Sequence, residues 1–415
     1  MWLSVCHKAR PYDAAMANTA RHASAAASDV PPSTLRQAWL IARTPTEIFL
    51  WSRLGIWLAA IFAYVWFVPH PPPLARSYAG NWDRPEFHDL GWALDVWARW
   101  DSEWFVKIAQ HGYDVAEGAP AFFPLYPVLL ALVGSALGDH YVLAGVVVAL
   151  AAAYVSFLLL HTIARERLGE EGAKRAVLYL AISPLSLYLQ AAYSESLYLM
   201  LALLAFVLAE RGRFGAAGVA VGLALLTRSA GLALIPPLLL IAWPSWRAII
   251  RLVPGLALFA VFPSMLWSAV GDPWAWIGAQ EMWDRELSSA GPLGGLWWGL
   301  TRWHPANADM LHAIAVNATN WAFLLLYAVL AVVAWRRFGA PYGLFGVLSL
   351  ALPLSVPSSS WPLEAIPRFG LVVFPFFLAL AALGERARIH TTVVVVSTVL
   401  LGIFIVQWTQ FQAVA

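Results

Sequence analysis

The sequence predicts an all-α polytopic membrane protein with about eleven transmembrane helices, and three observations carry that expectation. Of the 415 residues, 60% are hydrophobic and only 12% charged, at a mean hydropathy of +0.67. A water-soluble fold carries about twice that share of charge. The apolar residues come in blocks of about 15–21, separated by short charged connectors, as spans that must satisfy their own backbone in lipid require. The 23 Trp and 21 Phe gather near block ends and in two long loops, where interfacial aromatic belts form.

Composition also excludes. A formal charge of +2 gives no footing for a nucleic-acid partner. The single cysteine, Cys6, rules out an intramolecular disulfide and a cysteine-based metal site. Residues 1–45 are rich in Ala, Ser and Arg and lack an apolar core segment, so they read as a disordered cytoplasmic tail rather than a cleavable signal. Residues 46–415 read as one transmembrane domain, whose first helix, near 50–68, is its own insertion signal.

The basic connectors orient the chain. Arg36, Arg43 and Arg53 flank the start of the first helix and put the N-terminus inside. Further connectors carry Arg165 to Arg175, Arg211 with Arg213, Arg247 with Arg251, Arg336 with Arg337, and Arg386 with Arg388. With all of them cytoplasmic, spans follow near 141–161, 176–190, 193–209, 215–229, 231–243, 252–270, 314–334, 341–354, 369–383 and 391–410. Residues 122–138 are apolar enough to cross but would invert that order. Pro124 and Pro127 break helix at their start, so they read as a re-entrant or interfacial segment.

This topology leaves the unusual loops outside: 69–121, 271–313 and 355–368, with short turns at Tyr193 and Arg228. The first carries eight acids (Asp83, Glu86, Asp89, Asp95, Asp101, Glu103, Asp114, Glu117) against four bases. Long structured loops are commonly functional, so chemistry is expected on the outer face.

Residues 97–110 read as a short helix ended near Gly112. At about 100° per residue, Trp97, Trp100, Trp104, Phe105 and Ile108 share one arc, as in a helix lying flat in the membrane interface. Asp101 falls within that arc, where a carboxylate must be paired, with Arg99 or a backbone amide, or else used. Glu103 and Lys107 fall towards the polar side, and Glu103 reads as solvated. His111 and Asp114 are either turn residues or site residues. Glu195 heads a helix, where an acid complements the dipole. Arg228 and Arg368 sit outside against the positive-inside trend; each either snorkels to headgroups or holds an anion, a carboxylate or a ligand phosphate. Six tryptophans in 271–313 are compatible with sugar stacking and with a plain interfacial role.

The runs RWDSEWFVKIAQHGYD (99–114), AFFPLYP (121–127), SPLSLYLQAAYSESLY (183–198), LLTRSAGL (225–232) and PRFGLVVFPFFLALA (367–381) resemble, in that order, the PIG-V mannosyltransferases. Eukaryotic members of that family add the second mannose of the glycosylphosphatidylinositol anchor. The resemblance implies a GT-C glycosyltransferase fold with interfacial helices in the first outer loop, and an active site on the outer face. It also implies a polyprenyl-phosphate-linked sugar donor, a lipid or glycan acceptor, and membrane lipids as surroundings. The catalytic acid carried over by position is Asp101. Arg99, Trp100, Glu103, His111, Tyr113, Asp114, Tyr126, Tyr193, Glu195, Arg228 and Arg368 are the expected substrate-binding residues. The second acid that many such enzymes place in this loop has no clear counterpart, so a divalent metal ion stays open and no cofactor is assigned. The scarcity of close His/Asp/Glu clusters argues against a metal.

The expected reaction is transfer of a sugar, mannose before arabinose or glucose, with inversion at the anomeric carbon. The absence of a GxGxxG loop argues against a nucleotide-sugar enzyme. A lipid-linked-sugar transporter is the reading from another class; it predicts inverted repeats and mid-membrane charges, and no repeat is seen. The Ala- and Arg-rich composition fits a bacterial inner membrane.

Overall fold

The computed structural model describes residues 33–67, 89–303, 310–412 and 414. Two compact units are distinguished, 1–44 and 45–415, and everything below concerns the second unless stated. Among the described residues the fold is helical, with one isolated bridge between Arg285 and Ser358. The first half holds α1 (Ser33–Phe67), α2 (Trp92–Asp95), α3 (Asp101–His111), α4 (Leu125–Ala136), α5 (Tyr141–Ala181), α6 (Glu195–Glu210), α7 (Phe214–Leu225) and α8 (Ile235–Ala242). The second holds α9 (Trp246–Leu256), α10 (Val261–Val270), α11 (Ala275–Gly278), α12 (Pro292–Thr301), α13 (Met310–Phe338), α14 (Ala340–Ser355), α15 (Ile366–Leu371), α16 (Phe374–Leu383) and α17 (Ala387–Thr409).

Five helical stretches are long and apolar enough to cross a membrane: Ile41–Phe67, Tyr141–Ala181, Trp246–Val270, Met310–Phe338 and Ala387–Thr409. The expected span at 141–161 lies in α5, which turns at Gly169 (φ 72°, ψ −178°) and ends at Ala181, so the span expected at 176–190 is helical there only to Ala181, followed by a short 3-10 turn at Ser186–Leu189. Other apolar helices are shorter than the sequence reading drew them. The 12 residues of α4 rise about 18 Å, well under a hydrocarbon core of about 30 Å. That length fits the re-entrant or interfacial reading of 122–138. α7 and α16 are equally short, with 12 and 10 residues, so fewer elements have spanning length than the eleven expected.

Two packing features hold the bundle. α7 and α9 cross at glycines: a Cβ on Gly222 would lie 1.9 Å from the carbonyl oxygen of Gly255, and one on Gly218 would lie 2.4 Å from that of Leu252. Small-xxx-small spacing lets backbones touch where lipid offers no hydrophobic drive for association. The second feature is Arg53. It lies inside α1, which starts at Ser33 rather than near Leu50, so Arg53 is not a flanking charge. It is buried and donates to the carbonyls of Ser186 (2.8 Å) and Ala181 (3.1 Å) and to Ser186 Oγ (2.6 Å). A cation at the C-terminal end of α5 meets both the helix dipole and its unpaired carbonyls. The expected tail at 1–45 is shortened accordingly, since residues 33–45 are helical; residues 1–32 lie outside the described residues.

Candidate active site

The helix expected over 97–110 begins at Asp101, four residues later than its apolar arc predicts. Trp100, just before it, has φ 50°, a strained value for a bulky residue. The arc is turned onto protein: Trp97, Phe105 and Ile108 are buried, and α3 packs against α4. Glu103 corrects the sequence reading. It is buried rather than solvated, and Lys107 holds it one helical turn on.

Asp101, as the first residue of α3, gains from the helix dipole. Its backbone N–H donates to Tyr193 Oη at 3.2 Å, while that hydroxyl donates to the carbonyl of Arg99 at 2.9 Å. Asp101 Oδ2 accepts from Arg368 Nη1 at 2.7 Å. Oδ1 faces no protein donor among the described residues.

Arg368 reaches in the other direction to Glu195, Nε to Oε1 at 3.5 Å, and the same oxygen takes Arg228 Nη1 at 2.5 Å. Glu195 is only 1% exposed. A buried charge of that kind stands only because two guanidiniums flank it. Arg228 also donates to Ser194 Oγ at 3.4 Å. The network therefore runs Asp101, Arg368, Glu195, Arg228. These residues are far apart in sequence and come from the four motifs RWDS, PRF, YSES and TRS.

Two residues that the sequence reading missed belong here. The guanidinium of Arg285, in the loop 271–313, lies 5.8 Å from the centre of the Phe369 ring. Arg368 and Arg228 lie 5.8 and 5.6 Å from that same ring. Glu364, four residues before Arg368 in the turn that leads into α15, feels Arg285, Arg368 and Asp101. Its carboxyl is raised by the burial of its surroundings, which the two arginines oppose, although one edge is open to solvent. On the topology expected from the sequence, Arg285 departs from the positive-inside trend as Arg228 and Arg368 do, a signal that could have found it.

Backbone strain marks the same places. Of the five non-glycine residues at positive φ among the described residues, three, Trp100, Asp284 and Ala365, stand directly beside Asp101, Arg285 and Glu364; the other two are Asp139 and Phe411. Such conformations persist only where surrounding structure over-determines them, and they gather at functional sites.

The other expected residues lie around this cluster or away from it. Trp100 is half-buried beside Asp101, with its indole N–H unpartnered. Arg99 is buried under Phe411, 3.9 Å from its ring, and donates to the carbonyls of Asp95 and Ala98; burial lowers its pKa to about 10. Tyr126 and Tyr113 are buried and donate to the carbonyls of Gly145 and Phe122. His111 and Asp114 are exposed at the end of α3 and in the turn after it. Among the described residues no group of three His, Cys, Asp or Glu side chains could hold a metal ion.

Comparison with known proteins agrees with the motifs. Residues 90–269 match the sequence model of the family described as Mannosyltransferase (PIG-V). That segment contains RWDS, AFFPLYP, YSES and LLTRS, so the resemblance read from them is borne out there; PRF lies beyond it. The mouse GPI alpha-1,6-mannosyltransferase 2 is 32% identical over 189 residues, 40% of this chain and 38% of the mouse protein. The human protein of that name is 34% identical over 127 residues, 28% of this chain and 25% of its own. The chain thus spans well under half the length of these curated relatives. Among solved structures, ArnT from Cupriavidus metallidurans bound to undecaprenyl phosphate shares 16% identity at a TM-score of 0.46, covering 81% of this chain and 60% of that one.

Proposed function

We propose that this PIG-V-family chain is a membrane glycosyltransferase that moves a sugar, mannose, from a polyprenyl-phosphate-linked donor to a hydroxyl of a lipid or glycan acceptor on the outer face of a bacterial inner membrane. The observation that carries this reading is the convergence of four motifs on one charged cluster. Asp101 stands there with one oxygen fixed by Arg368 and the other facing no protein donor.

The chemistry follows from that arrangement. A lipid-phosphate donor keeps its tail in the bilayer and its anomeric carbon at the surface. The acceptor hydroxyl attacks that carbon from the side opposite the phosphate. As the new carbon–oxygen bond forms, the bond to the phosphate oxygen breaks and its electron pair leaves with polyprenyl phosphate. Asp101 Oδ1 takes the hydroxyl proton and later returns it to water. One displacement inverts the anomeric centre. Arg368 contributes twice: it fixes the carboxylate, and with Arg228 it supplies positive field where negative charge grows on the departing phosphate. Tyr193 holds the backbone on both sides of Trp100, and the Arg99 side chain holds the carbonyls of Asp95 and Ala98 just before it, so both support the turn rather than meeting substrate.

The test is a donor panel. The purified chain in liposomes is given radiolabelled polyprenyl-phosphate mannose, arabinose or glucose beside membrane acceptors. Transfer from the mannose donor with inverted linkage supports the reading. Transfer from another sugar alone replaces mannose, and no transfer from any of the three sinks the glycosyltransferase reading.

A further inference from the structure

The loops 271–313 and 355–368 are joined along their backbones. Glu286 N–H donates to the Pro357 carbonyl (3.2 Å), Ser288 to Ser355 (2.9 Å) and Ser359 to Asp284 (2.8 Å), around the Arg285–Ser358 bridge. Asp284 is held in the left-handed region, φ 57°, and its carboxylate accepts from Ser360 N–H at 3.0 Å and Oγ at 2.5 Å. This clasp fixes the backbone beside Arg285, whose guanidinium reaches the Phe369 ring.

Three guanidiniums within 6 Å of one ring centre repel one another unless anions offset them. Arg228 is offset by Glu195, and Arg368 by Asp101 and Glu195. Arg285 differs. Among the described residues no carboxylate stands within 4 Å of it. Glu364 is felt from farther away. Its surroundings lower the Arg285 pKa from the ordinary value, opposed chiefly by Glu364, while part of the side chain stays open to solvent.

We propose that Arg285 is the residue that grips the phosphate of the lipid-linked donor directly, while Arg368 and Arg228, each paired with the protein's own carboxylates, act on that phosphate through their field alone. This rests on the glycosyltransferase reading. A planar guanidinium presents two parallel N–H donors to phosphate oxygens. The occupant is a phosphate ester, and its source is the donor rather than a phospholipid headgroup or free phosphate.

The test is binding, not turnover. The full chain is reconstituted in nanodiscs as wild type, Arg285→Gln, Arg285→Lys, Asp101→Asn and Arg302→Gln. Arg302 donates to the Ser359 carbonyl at 3.2 Å and so ties the same two loops from outside the charged cluster. Polyprenyl phosphate is titrated, with phosphatidylglycerol and inorganic phosphate as competitors, and thermal stability is recorded for every variant.

Arg285→Gln should weaken binding on the order of 10- to 100-fold, as loss of a charge-assisted contact does. Arg285→Lys should restore part of it, Arg302→Gln should bind as wild type does, and Asp101→Asn, which releases Arg368 from its carboxylate, should bind no more weakly than wild type. Equal affinity of Arg285→Gln and wild type overturns the assignment, as does an equal loss in Arg302→Gln, which would make Arg285 a loop fastener. Equal competition by phosphatidylglycerol reassigns the site to membrane headgroups and overturns the donor. If wild type binds no polyprenyl phosphate at all, the donor reading itself has failed, an outcome distinct from an Arg285-specific one.

Discussion

Removing Arg368 tests the network from its centre. Its guanidinium stands between Asp101, at 2.7 Å, and the buried Glu195, at 3.5 Å. In Arg368→Gln the two carboxylates lose the charge between them; Glu195 keeps Arg228, while Asp101 keeps no arginine. Two unit charges about 4 Å apart interact by about 4 kcal/mol at an effective dielectric of 20. Asp101 is 27% exposed, so water screens part of this, and a coupling of about 2–3 kcal/mol remains. The assay is a double-mutant cycle of wild type, Asp101→Asn, Arg368→Gln and the double variant, read as unfolding free energy in mixed micelles. Coupling of about 2 kcal/mol or more is expected. Additivity within about 0.5 kcal/mol would refute the ion pair and detach Arg368 from Asp101.

Three further outcomes follow from the structure. Gly222→Leu should destabilise the bundle by more than about 3 kcal/mol, because its side chain would meet the Gly255 carbonyl; a thermal shift close to zero would mean that α7 and α9 do not touch there. Arg53→Met strands the carbonyls of Ser186 and Ala181 and should cost about 2–4 kcal/mol, measured by denaturant titration; an unchanged midpoint would place Arg53 outside the fold's interior. The clasp at Asp284 should be sensitive to acid. Hydrogen bonds from Ser359 and Ser360 hold its carboxyl below the ordinary 3.8, so the folded loop binds fewer protons than the unfolded chain. Its contribution is complete above about pH 4 and is lost as pH falls through the shifted value. The protection of residues 284–288 against hydrogen exchange, taken relative to the intrinsic rate at each pH, should fall below that pH; if protection is as high at pH 3 as at pH 6, the clasp is not held by that carboxylate.

Much of the site was legible because its chemistry travels with short motifs. The apolar arc of 97–110 isolated Asp101 as a carboxylate needing a partner, and the positive-inside trend isolated Arg228 and Arg368 as cations needing anions. What the sequence left open was which of them pair. Asp101 chooses Arg368 over its neighbour Arg99 because the strained turn at Trp100 aims Arg99 at backbone carbonyls. That turn has no compositional signature, since a tryptophan at positive φ is enforced by tertiary packing alone. Glu103 was misjudged because helical phase gives a direction and not what covers it. Arg53 was misread for a related reason: a basic residue near a helix start looks like a flank until the helix proves longer. Arg285 and Glu364 become neighbours of the site only when two distant loops join, an event without local periodicity.

The central claim is that Asp101 removes the proton in a sugar transfer. Transfer of label from radioactive polyprenyl-phosphate mannose to membrane acceptors, by purified wild type beside Asp101→Asn, tests it most directly. The account predicts product from the wild type and a loss of at least about 100-fold in the variant, with binding of polyprenyl phosphate not weakened. Equal transfer by the two proteins would contradict it and move the base to Glu364 or Glu195.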